Sequence, residues 1–363
     1  MVRPTTKPGI MDIQPYVGGL HTVEGVDEVV VLASNEGPLG ASPCAIEAFK
    51  RGAGKLHLYP DGGADELRAA IGERFGYDPS RIVCGAGSDE IISLLVAAYA
   101  GIGDEVVYSE HGFLMYPINA RAVGATPVAS RETDLTANAE NLLACVTDRT
   151  RMVFLANPNN PTGSYMPVEE LRRLHAGLPL DVLLVIDAAY AEYVSRKDYV
   201  SGAELVEEFE NVVMTRTYSK VFGLAALRLG WAYCPAHVAD ILNRVRNPFN
   251  VAAPAQAAGI AAVGDLSHTD AAIAHNDKWL PKFAADLKTI GLDVAPSVGN
   301  FVLVRFGSEM RAKLAYEHLL RRGVITRMMG GYGLADSLRV TIGLEGELKA
   351  VLDGLAEYGK QYA

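Results

Sequence analysis

Short apolar runs recur through the first two thirds of the chain, and segments with the periodicity of amphipathic helices separate them. The runs are continuously apolar rather than alternating, which is typical of strands buried on both faces of a parallel sheet. The pattern therefore predicts an α/β fold whose large domain holds a mostly parallel, seven-stranded sheet flanked by helices. The strands are expected at residues 81–84, 105–108, 127–129, 152–156, 182–186, 212–215 and 229–233.

Helices are expected before and between these strands. Ser42 and Pro43 mark the first start, with serine at the N-cap and proline at the first helical position. Residues 1–40 contain four prolines and the turn sequence ASNEGPLG, so they are expected to form an extended arm. The helices are expected at residues 43–50, 65–75, 91–99, 116–123, 137–145 and 168–175.

The composition changes after an Asn-Pro pair at residues 247 and 248. Residues 251–290 are rich in alanine and predict helices, the longest at residues 270–290. A compact α/β unit should follow, with strands at 300–306, 324–328 and 337–342 and helices at 309–322 and 346–358. We therefore expect an N-terminal arm at 1–40, a large cofactor-binding domain at 41–248 and a small C-terminal domain at 249–363 that the arm completes.

The composition excludes several classes of protein. Of the 363 residues 49% are hydrophobic and 21% are charged, which is typical of a soluble globular protein. A net charge of −10 argues against a nucleic-acid partner, and no apolar run is long enough to predict a membrane span. The N-terminus lacks the apolar core of a signal peptide. The four cysteines lie far apart and no two histidines have the spacing of metal ligands, so no metal site is expected. The cysteines are expected to be buried thiols in a reducing cytoplasm.

The polar motifs fall where strands of the predicted sheet end. In open parallel sheets the ligand crevice lies beyond the carboxyl ends of the strands. Residues 85–89, 157–163, 187–190 and 219–220 all follow directly after predicted strands. We therefore expect these segments to meet around one binding site.

Lys220 lies between a strand end and a possible helix start, in the sequence TRTYSKVFGLAALRLG. In a cleft, low dielectric and nearby cations depress the pKa of a lysine and make its amine nucleophilic. Such lysines form Schiff bases with carbonyls, including the aldehyde of pyridoxal phosphate. Ser219 and Arg228 would supply a hydroxyl and a cation for a phosphate group. The alternative is a surface lysine in a turn.

The sequence GAGSDE at residues 85–90 is a glycine turn that leads into a helix. Free backbone N–H groups and the helix N-terminus make such a turn an anion site. The alternative is a simple helix cap in which Ser88 or Asp89 accepts a backbone hydrogen bond. The motif has neither the spacing of a Walker A loop nor that of a dinucleotide fingerprint, so nucleotide binding is disfavoured.

Two further motifs follow apolar strands. In ANPNNPTG, at residues 156–163, prolines and asparagines predict an irregular turn whose amide side chains face the crevice. In VIDAAYAEY, Asp187 ends a very apolar strand, and a buried carboxylate requires a cationic or hydrogen-bonding partner. A pyridinium nitrogen would meet that requirement, and Tyr190 could reach the same ligand. Asp187 as the cap of a following helix is the alternative.

With these motifs in order, the chain resembles the fold-type I, pyridoxal-phosphate-dependent aminotransferases of class I and II. Within that family it is most similar to the histidinol-phosphate aminotransferases, and the resemblance covers almost the whole chain. The motifs that carry it are PYVGG, ASNEGPLG, YPDGG, GAGSDE, NPNNPTG, IDAAYAEY, TRTYSKVFGLAALRLGW, GNFVLVRF and LRVTIG.

The resemblance implies pyridoxal 5′-phosphate as cofactor and a role for each matching residue. Lys220 would be catalytic, joining the cofactor aldehyde as a Schiff base and then moving a proton between substrate and cofactor. Asp187 would pair the pyridine nitrogen, and Tyr190 and Asn160 the ring hydroxyl. Phe113 would stack on the ring. The residues expected to hold the cofactor phosphate are Gly87, Ser88, Asp89, Thr217, Ser219 and Arg228.

The substrate residues are implied in the same way. Arg339 matches the arginine that clamps a substrate carboxylate, and Tyr16 and Arg327 match positions near the substrate's phosphate or side chain. Asn35 lies in the segment that closes over the site, where Asn160 also faces the substrate. Tyr59 matches a tyrosine that reaches the neighbouring site of a homodimer. The expected partners are therefore small-molecule substrates and a second copy of the chain.

The implied reaction is reversible transamination between L-histidinol phosphate and 2-oxoglutarate, a step of histidine biosynthesis. An aromatic amino-acid or prephenate aminotransferase shares every quoted motif, and a phosphothreonine-type decarboxylase is a further alternative. A protein that binds the cofactor without catalysis is another. The chain departs from the family at Ala188 (usually Glu), Ala226 (usually Gly), Gly37 (usually Asn) and Phe113 (often Tyr), and none of these changes removes a catalytic group.

Overall fold

The computed structural model describes residues 4–16, 18–26 and 28–362 as an α/β protein. The helices are α1 Pro43–Gly52, α2 Asp65–Phe75, α3 Ser88–Tyr99, α4 Met115–Val123, α5 Ala139–Ala144, α6 Val168–Gly177, α7 Ala203–Glu208, α8 Ala236–Val245, α9 Ala253–Gly264, α10 Leu266–Thr289, α11 Glu309–Arg321 and α12 Glu345–Tyr362. The strands are β1 Val30–Val31, β2 Ile82–Gly85, β3 Glu105–Ser109, β4 Thr126–Ser130, β5 Thr150–Ala156, β6 Leu183–Asp187, β7 Val212–Thr217, β8 Gly230–Tyr233, β9 Asp293–Val294, β10 Phe301–Arg305, β11 Val324–Ile325, β12 Arg327–Met329 and β13 Leu334–Thr341.

The large sheet has seven strands in the order β2-β8-β7-β6-β5-β3-β4. The strands from β7 to β4 pair in parallel, and β8 runs antiparallel to both of its neighbours. Apolar clusters lie on both faces, and β6 and β7 are buried along their whole length. This confirms the predicted mostly parallel sheet, because strands covered on both sides need the continuous apolar runs that the sequence contains.

Two elements extend beyond their predicted bounds toward the polar motifs. β7 continues through Arg216 and Thr217, which pair with Trp231 and Gly230 of β8. α3 begins at Ser88, three residues earlier than predicted, because Gly87 forms its N-cap. Both differences bring the polar residues onto regular elements, which hold them more rigidly than loops would.

Two helices were absent from the sequence prediction. α7 follows Gly202, and α8 follows Pro235. α8 buries Val238, Ala239 and Leu242 on one face, so the amphipathic pattern of its sequence explains why this helix forms.

The C-terminal part contains a four-stranded antiparallel sheet in the order β12-β13-β10-β9. The strand predicted at 324–328 is wrong as a single element, since it is divided at Thr326. Its first half, β11, pairs in parallel with β1 of the arm, and its second half, β12, pairs with β13. The arm therefore supplies a strand to the C-terminal part.

The packing shows where each C-terminal helix belongs. α10 starts at Leu266, earlier than predicted, because the Asp265 side chain accepts a hydrogen bond from the His268 N–H. Its later residues pack with α11 and α12 in one apolar cluster, whereas Ala255 and Ala258 of α9 pack in the core of the large sheet. The boundary between residues 248 and 249 stays a prediction. Within the described ranges no helix is long and apolar enough to cross a membrane.

Candidate active site

A cavity of about 240 Å³ lies at the carboxyl ends of the central parallel strands. Four segments predicted to meet do so here, since strand ends, the asparagine loop and the start of α3 all contribute to its wall. The predicted cofactor residues that line it are Ser88, Asp89, Phe113, Asn160, Asp187, Tyr190, Thr217, Ser219, Lys220 and Arg228. Gly87 lies directly behind this wall, as the N-cap of α3.

Lys220 follows β7 and extends its amine into the cavity. The Nζ atom donates a hydrogen bond to the backbone carbonyl of Ser34 at 2.9 Å, and no carboxylate among the described residues forms an ion pair with it. Burial, together with the positive charge of Arg339, lowers the pKa of Lys220 to about 8. More of the amine is therefore neutral, and hence nucleophilic, near neutral pH than in an exposed lysine.

Asp187 is the last residue of β6 and is only 5% exposed. Its Oδ2 atom accepts a hydrogen bond of 2.8 Å from the hydroxyl of Tyr116, while its Oδ1 atom has no partner within the described part of the chain. Burial raises the pKa of Asp187 to about 6. A buried carboxylate with an unused oxygen at a cavity wall is suited to binding a cationic N–H group.

Tyr190 lies one turn beyond Asp187 and is held by the arm. Its hydroxyl accepts a hydrogen bond of 2.9 Å from the Asn35 side chain, and the Asn35 backbone N–H donates to the Thr341 hydroxyl. Burial raises the pKa of Tyr190 to about 12, so the phenol stays protonated and can donate its own hydrogen bond into the cavity. The arm, the large sheet and β13 therefore jointly fix this side chain.

The start of α3 forms a cradle for an anion. No side chain caps this helix end, and Gly87 has a φ of 85° that favours glycine. A Cβ atom on Gly87 would lie 2.5 Å from a guanidinium nitrogen of Arg228, so a larger residue would displace that guanidinium from the cradle. Arg228 also forms an ion pair of 2.9 Å with Asp89. Helix N–H groups, hydroxyls and a guanidinium thus surround one corner of the cavity.

Only one of the three asparagines in the NPNNPTG loop faces the cavity, so the expectation that all these amides point into the crevice is wrong. The Asn157 side chain bonds to both backbone groups of Met166, and Asn159 donates to the hydroxyl of Thr162. Asn160 alone lines the cavity. The first two amides satisfy the loop's own buried polar groups, which the surrounding apolar packing requires.

Arg339 on β13 reaches the same site from the C-terminal sheet. It donates to the Asn160 side chain and to the backbone carbonyl of Ala33. Its Nε atom has no hydrogen-bond partner in the described ranges, and burial lowers its pKa. The guanidinium is therefore positioned by two contacts and retains an unused N–H donor.

A second cavity of about 650 Å³ lies between the arm, α4 and β12. Tyr16 and Arg327 both line it, with the Arg327 guanidinium 5.8 Å from the centre of the Tyr16 ring. Tyr332, also in its wall, lies close enough to Tyr190 and Arg339 for their charges to influence its ionisation. The two predicted substrate residues are thus together and adjacent to the first cavity, but outside its wall.

Tyr59 lies apart from both cavities. Its side chain is 82% exposed and stacks on Phe249, with ring centres 4.7 Å apart. Within one chain it reaches neither Lys220 nor Asp187.

The sequence reasoning missed two groups at the site. The sequence pattern indicates Tyr116, which donates to Asp187, only as the first residue of a helix, although its position three residues after Phe113 places both rings close together. The carbonyl of Ser34, which accepts from Lys220, gives no side-chain signal because any residue type provides it.

The residues present fit pyridoxal phosphate. The unpaired Oδ1 of Asp187 suits the protonated ring nitrogen, Lys220 suits the aldehyde, and the cradle at α3 suits the phosphate. The fit rests on the unpartnered Oδ1 of Asp187 and on Lys220, whose amine bonds only to a backbone carbonyl among the described residues, both at one cavity wall.

Comparisons with known proteins agree with this reading. The family model of aminotransferase class I and II matches residues 27–355. A histidinol-phosphate aminotransferase of Paramagnetospirillum magneticum is 59% identical over 360 residues, covering 99% of each chain. One of Rhodospirillum centenum is 57% identical over 361 residues, covering 99% of this chain and all of that protein.

Solved structures show the same architecture. Histidinol-phosphate aminotransferase from Sinorhizobium meliloti, in complex with pyridoxal-5′-phosphate, has a TM-score of 0.88 at 28% identity, covering 93% of this chain and 92% of that one. Aspartate aminotransferase from Thermus thermophilus has a TM-score of 0.81 at 23% identity, covering 91% and 92%. The architecture is that of a fold-type I aminotransferase, as the sequence analysis predicts.

Proposed function

We infer the reaction from one premise: the chain belongs to the aminotransferase class I and II family. We propose that it catalyses reversible transamination, in which glutamate and imidazole acetol phosphate give 2-oxoglutarate and L-histidinol phosphate in the direction of histidine biosynthesis. The observation that carries the proposal is that Lys220 and Asp187 line one cavity and neither forms an ion pair with another of the described residues. The names of relatives at 59% and 57% identity support the substrate.

Pyridoxal phosphate, when bound, supplies an electron sink that stabilises negative charge at the substrate's α-carbon. Asp187 would hold the ring nitrogen through Oδ1, which has no partner among the described residues, and would favour its protonated form. Tyr190 and Asn160 would hold the ring hydroxyl, and Phe113 would stack on the ring. These contacts orient the reacting atoms before any substrate enters.

Lys220 performs the acid–base work. Its lowered pKa leaves the amine partly neutral, so that Nζ can accept a proton from the substrate's α-carbon. The hydrogen bond to the Ser34 carbonyl holds the amine at the cavity wall between these events. Lys220 can then donate this proton to the cofactor, so the same residue acts first as a base and then as an acid.

Different residues would bind the anionic groups of the cofactor and of the two substrates. The start of α3, with Thr217, Ser219 and Arg228, holds the cofactor phosphate. Arg339 offers its unused Nε donor to the carboxylate of glutamate. Tyr16 and Arg327 line the neighbouring cavity and hold the phosphate or the side chain of the second substrate. Two anionic substrates can therefore use one site in turn.

We propose a homodimer in which Tyr59 completes the site of the partner subunit. Its 82% exposure is unfavourable for a large aromatic ring, and a patch of apolar side chains surrounds it. Leu56, Leu58 and Phe249 line one groove with Tyr59 and are themselves exposed. A second copy would cover it, and a cytoplasmic location remains the expectation from the sequence.

Mixing two variants tests the shared site. Lys220→Ala and Tyr59→Ala subunits, each weak alone at low substrate, should regain about a quarter of wild-type activity when exchanged, because each mixed dimer has one intact site. The absence of recovery in a verified mixed dimer would contradict the donation of Tyr59 across the interface.

Half-reactions of the purified holoprotein test the substrate. L-Histidinol phosphate should change the cofactor absorbance with a kcat/KM at least about tenfold above that of phenylalanine, because Arg327 lines the neighbouring cavity and can bind a phosphate that phenylalanine lacks. Full turnover with 2-oxoglutarate should give the parallel lines of a ping-pong reaction. Faster turnover of phenylalanine or prephenate would instead establish an aromatic aminotransferase. Release of carbon dioxide would establish a decarboxylase, and an inert spectrum a protein that only binds the cofactor.

A further inference from the structure

We propose that Tyr116 is a positioning residue that sets the orientation and charge of the Asp187 carboxylate, and thereby how tightly the protein holds the ring nitrogen of its cofactor. The inference rests on the proposed function, since it takes Asp187 as the partner of that nitrogen. Tyr116 does not line the cavity, so it acts through Asp187.

The contact joins α4 to β6 beneath the cavity. The Tyr116 hydroxyl donates to Asp187 Oδ2 at 2.8 Å, and the two residues are 0% and 5% exposed. The Tyr116 ring stacks on Phe154 at 4.6 Å and meets Phe113 edge-on at 5.9 Å. Because packing fixes the ring, the hydroxyl has one place to donate.

This contact decides which carboxylate oxygen is free. Tyr116 occupies Oδ2, so Oδ1 is the oxygen without a partner among the described residues. Rotation of the carboxylate would break a buried hydrogen bond to a charged group, which is unfavourable. Asp187 therefore presents Oδ1 in a fixed direction at the cavity wall.

The same contact favours the ionised carboxylate. Burial and the negative charge of Asp89 on α3 raise the pKa of Asp187. The hydrogen bond from the Tyr116 hydroxyl lowers this pKa. The Thr215 hydroxyl on β7 and the Ala189 backbone also act to lower the pKa of Asp187. Burial raises the pKa of Tyr116 well above its usual value, so the phenol remains a donor. Removing its hydroxyl should leave more Asp187 protonated at neutral pH.

The test compares two ligands that differ at one atom. Dissociation constants are measured for pyridoxal phosphate and for its 1-deaza analogue, which has carbon in place of the ring nitrogen. Tyr116→Phe should weaken binding of pyridoxal phosphate about tenfold and leave the analogue within about twofold, because only the former uses Asp187. As pH falls, loss of pyridoxal phosphate binding should begin at a higher pH in Tyr116→Phe than in wild type.

Two further variants separate the possible failures. Tyr99→Phe is the matched control, since its hydroxyl is also buried, has no partner in the described chain and lies away from the cavity; both constants should stay unchanged. Asp187→Asn should lose the preference for pyridoxal phosphate over the analogue.

Each outcome decides one claim. If Asp187→Asn keeps the preference, the proposed cofactor contact fails. If Asp187→Asn loses it but Tyr116→Phe binds as wild type does, or weakens both ligands equally, the positioning role of Tyr116 is overturned. Tyr116→Phe added to Asp187→Asn should change neither constant further, and this comparison holds even if the single variant is less stable.

Discussion

Two sets of buried charge lie close together along the chain and differ in how they are paired. Arg216 and Glu192 form an ion pair with each other, and both side chains are less than a tenth exposed. Arg216 also lies 4.9 Å from the ring centre of Phe75 and 5.6 Å from that of Trp231. The amine of Lys220, four residues after Arg216, donates a hydrogen bond to a backbone carbonyl. The carboxylate of Asp187, five residues before Glu192, accepts one from a tyrosine hydroxyl.

The difference separates a completed structural pair from an incomplete functional one. Burial opposes the charge of Arg216, but Glu192 more than offsets this and raises its pKa. Burial instead lowers the pKa of Lys220 to about 8 and raises that of Asp187 to about 6. Neither Lys220 nor Asp187 thus forms an ion pair with any residue that the structure describes. A ligand with a cationic ring nitrogen and an aldehyde relieves both, which is why perturbed groups mark functional sites.

The largest effect is expected at the incomplete pair. Lys220→Ala should lower kcat by more than about 10³-fold, because no other residue supplies the nucleophile and the proton carrier. The absorbance of the lysine–cofactor link should also disappear. Lys278→Ala, on an exposed helix face, is the control and should retain both. Activity near the wild-type level in Lys220→Ala would remove the distinction between the two pairs.

The structural pair should respond in stability. Arg216→Met leaves Glu192 buried without its cation and should lower the free energy of unfolding by about 3–5 kcal/mol. Urea unfolding of the cofactor-free protein measures this. The double variant Arg216→Met/Glu192→Met should recover most of the loss, because it leaves no uncompensated charge. A single variant as stable as wild type would show that the pair is not what holds this region.

Asp187→Asn should raise the free energy of unfolding near neutral pH, whereas Arg216→Met should lower it. In the unfolded chain the carboxyl titrates near 3.8 and in the folded chain near 6, so folding takes up a proton between these values. The folded cofactor-free protein therefore loses about 3 kcal/mol of stability as the pH rises from about 4 to about 7.

The asparagine variant lacks this loss. It should be more stable than wild type by about 3 kcal/mol above pH 7 and equal to it below about pH 4, while transamination falls. Thermal unfolding across this pH range measures the gap. A gap that stays constant with pH would mean that the burial of Asp187 does not set its titration.

The sheet and the position of the site were predictable from the sequence because local patterns determine them. Apolar runs marked β5, β6 and β7, and turn-forming residues at their ends marked where the cavity opens. Chain entropy and backbone hydrogen bonding leave few other arrangements for such runs.

The features that were not predictable depend on tertiary contacts. Tyr116 meets Asp187 across β5, and no spacing in the sequence brings residues 71 positions apart together. Asn157 and Asn159 turn away from the cavity because their amides bond to the Met166 backbone and to the Thr162 hydroxyl. The predicted strand is divided at Thr326 because its first half, β11, pairs with β1 of the arm and its second half, β12, pairs with β13.

The central claim is that Lys220 carries the cofactor. Holoprotein reduced with borohydride fixes the lysine–cofactor link as a stable secondary amine, which peptide mass spectrometry can locate. We expect the pyridoxyl phosphate mass on the peptide that contains Lys220, and none on that peptide when L-histidinol phosphate and no 2-oxoglutarate is added before reduction. A modified lysine elsewhere, with Lys220 unmodified, would contradict the account.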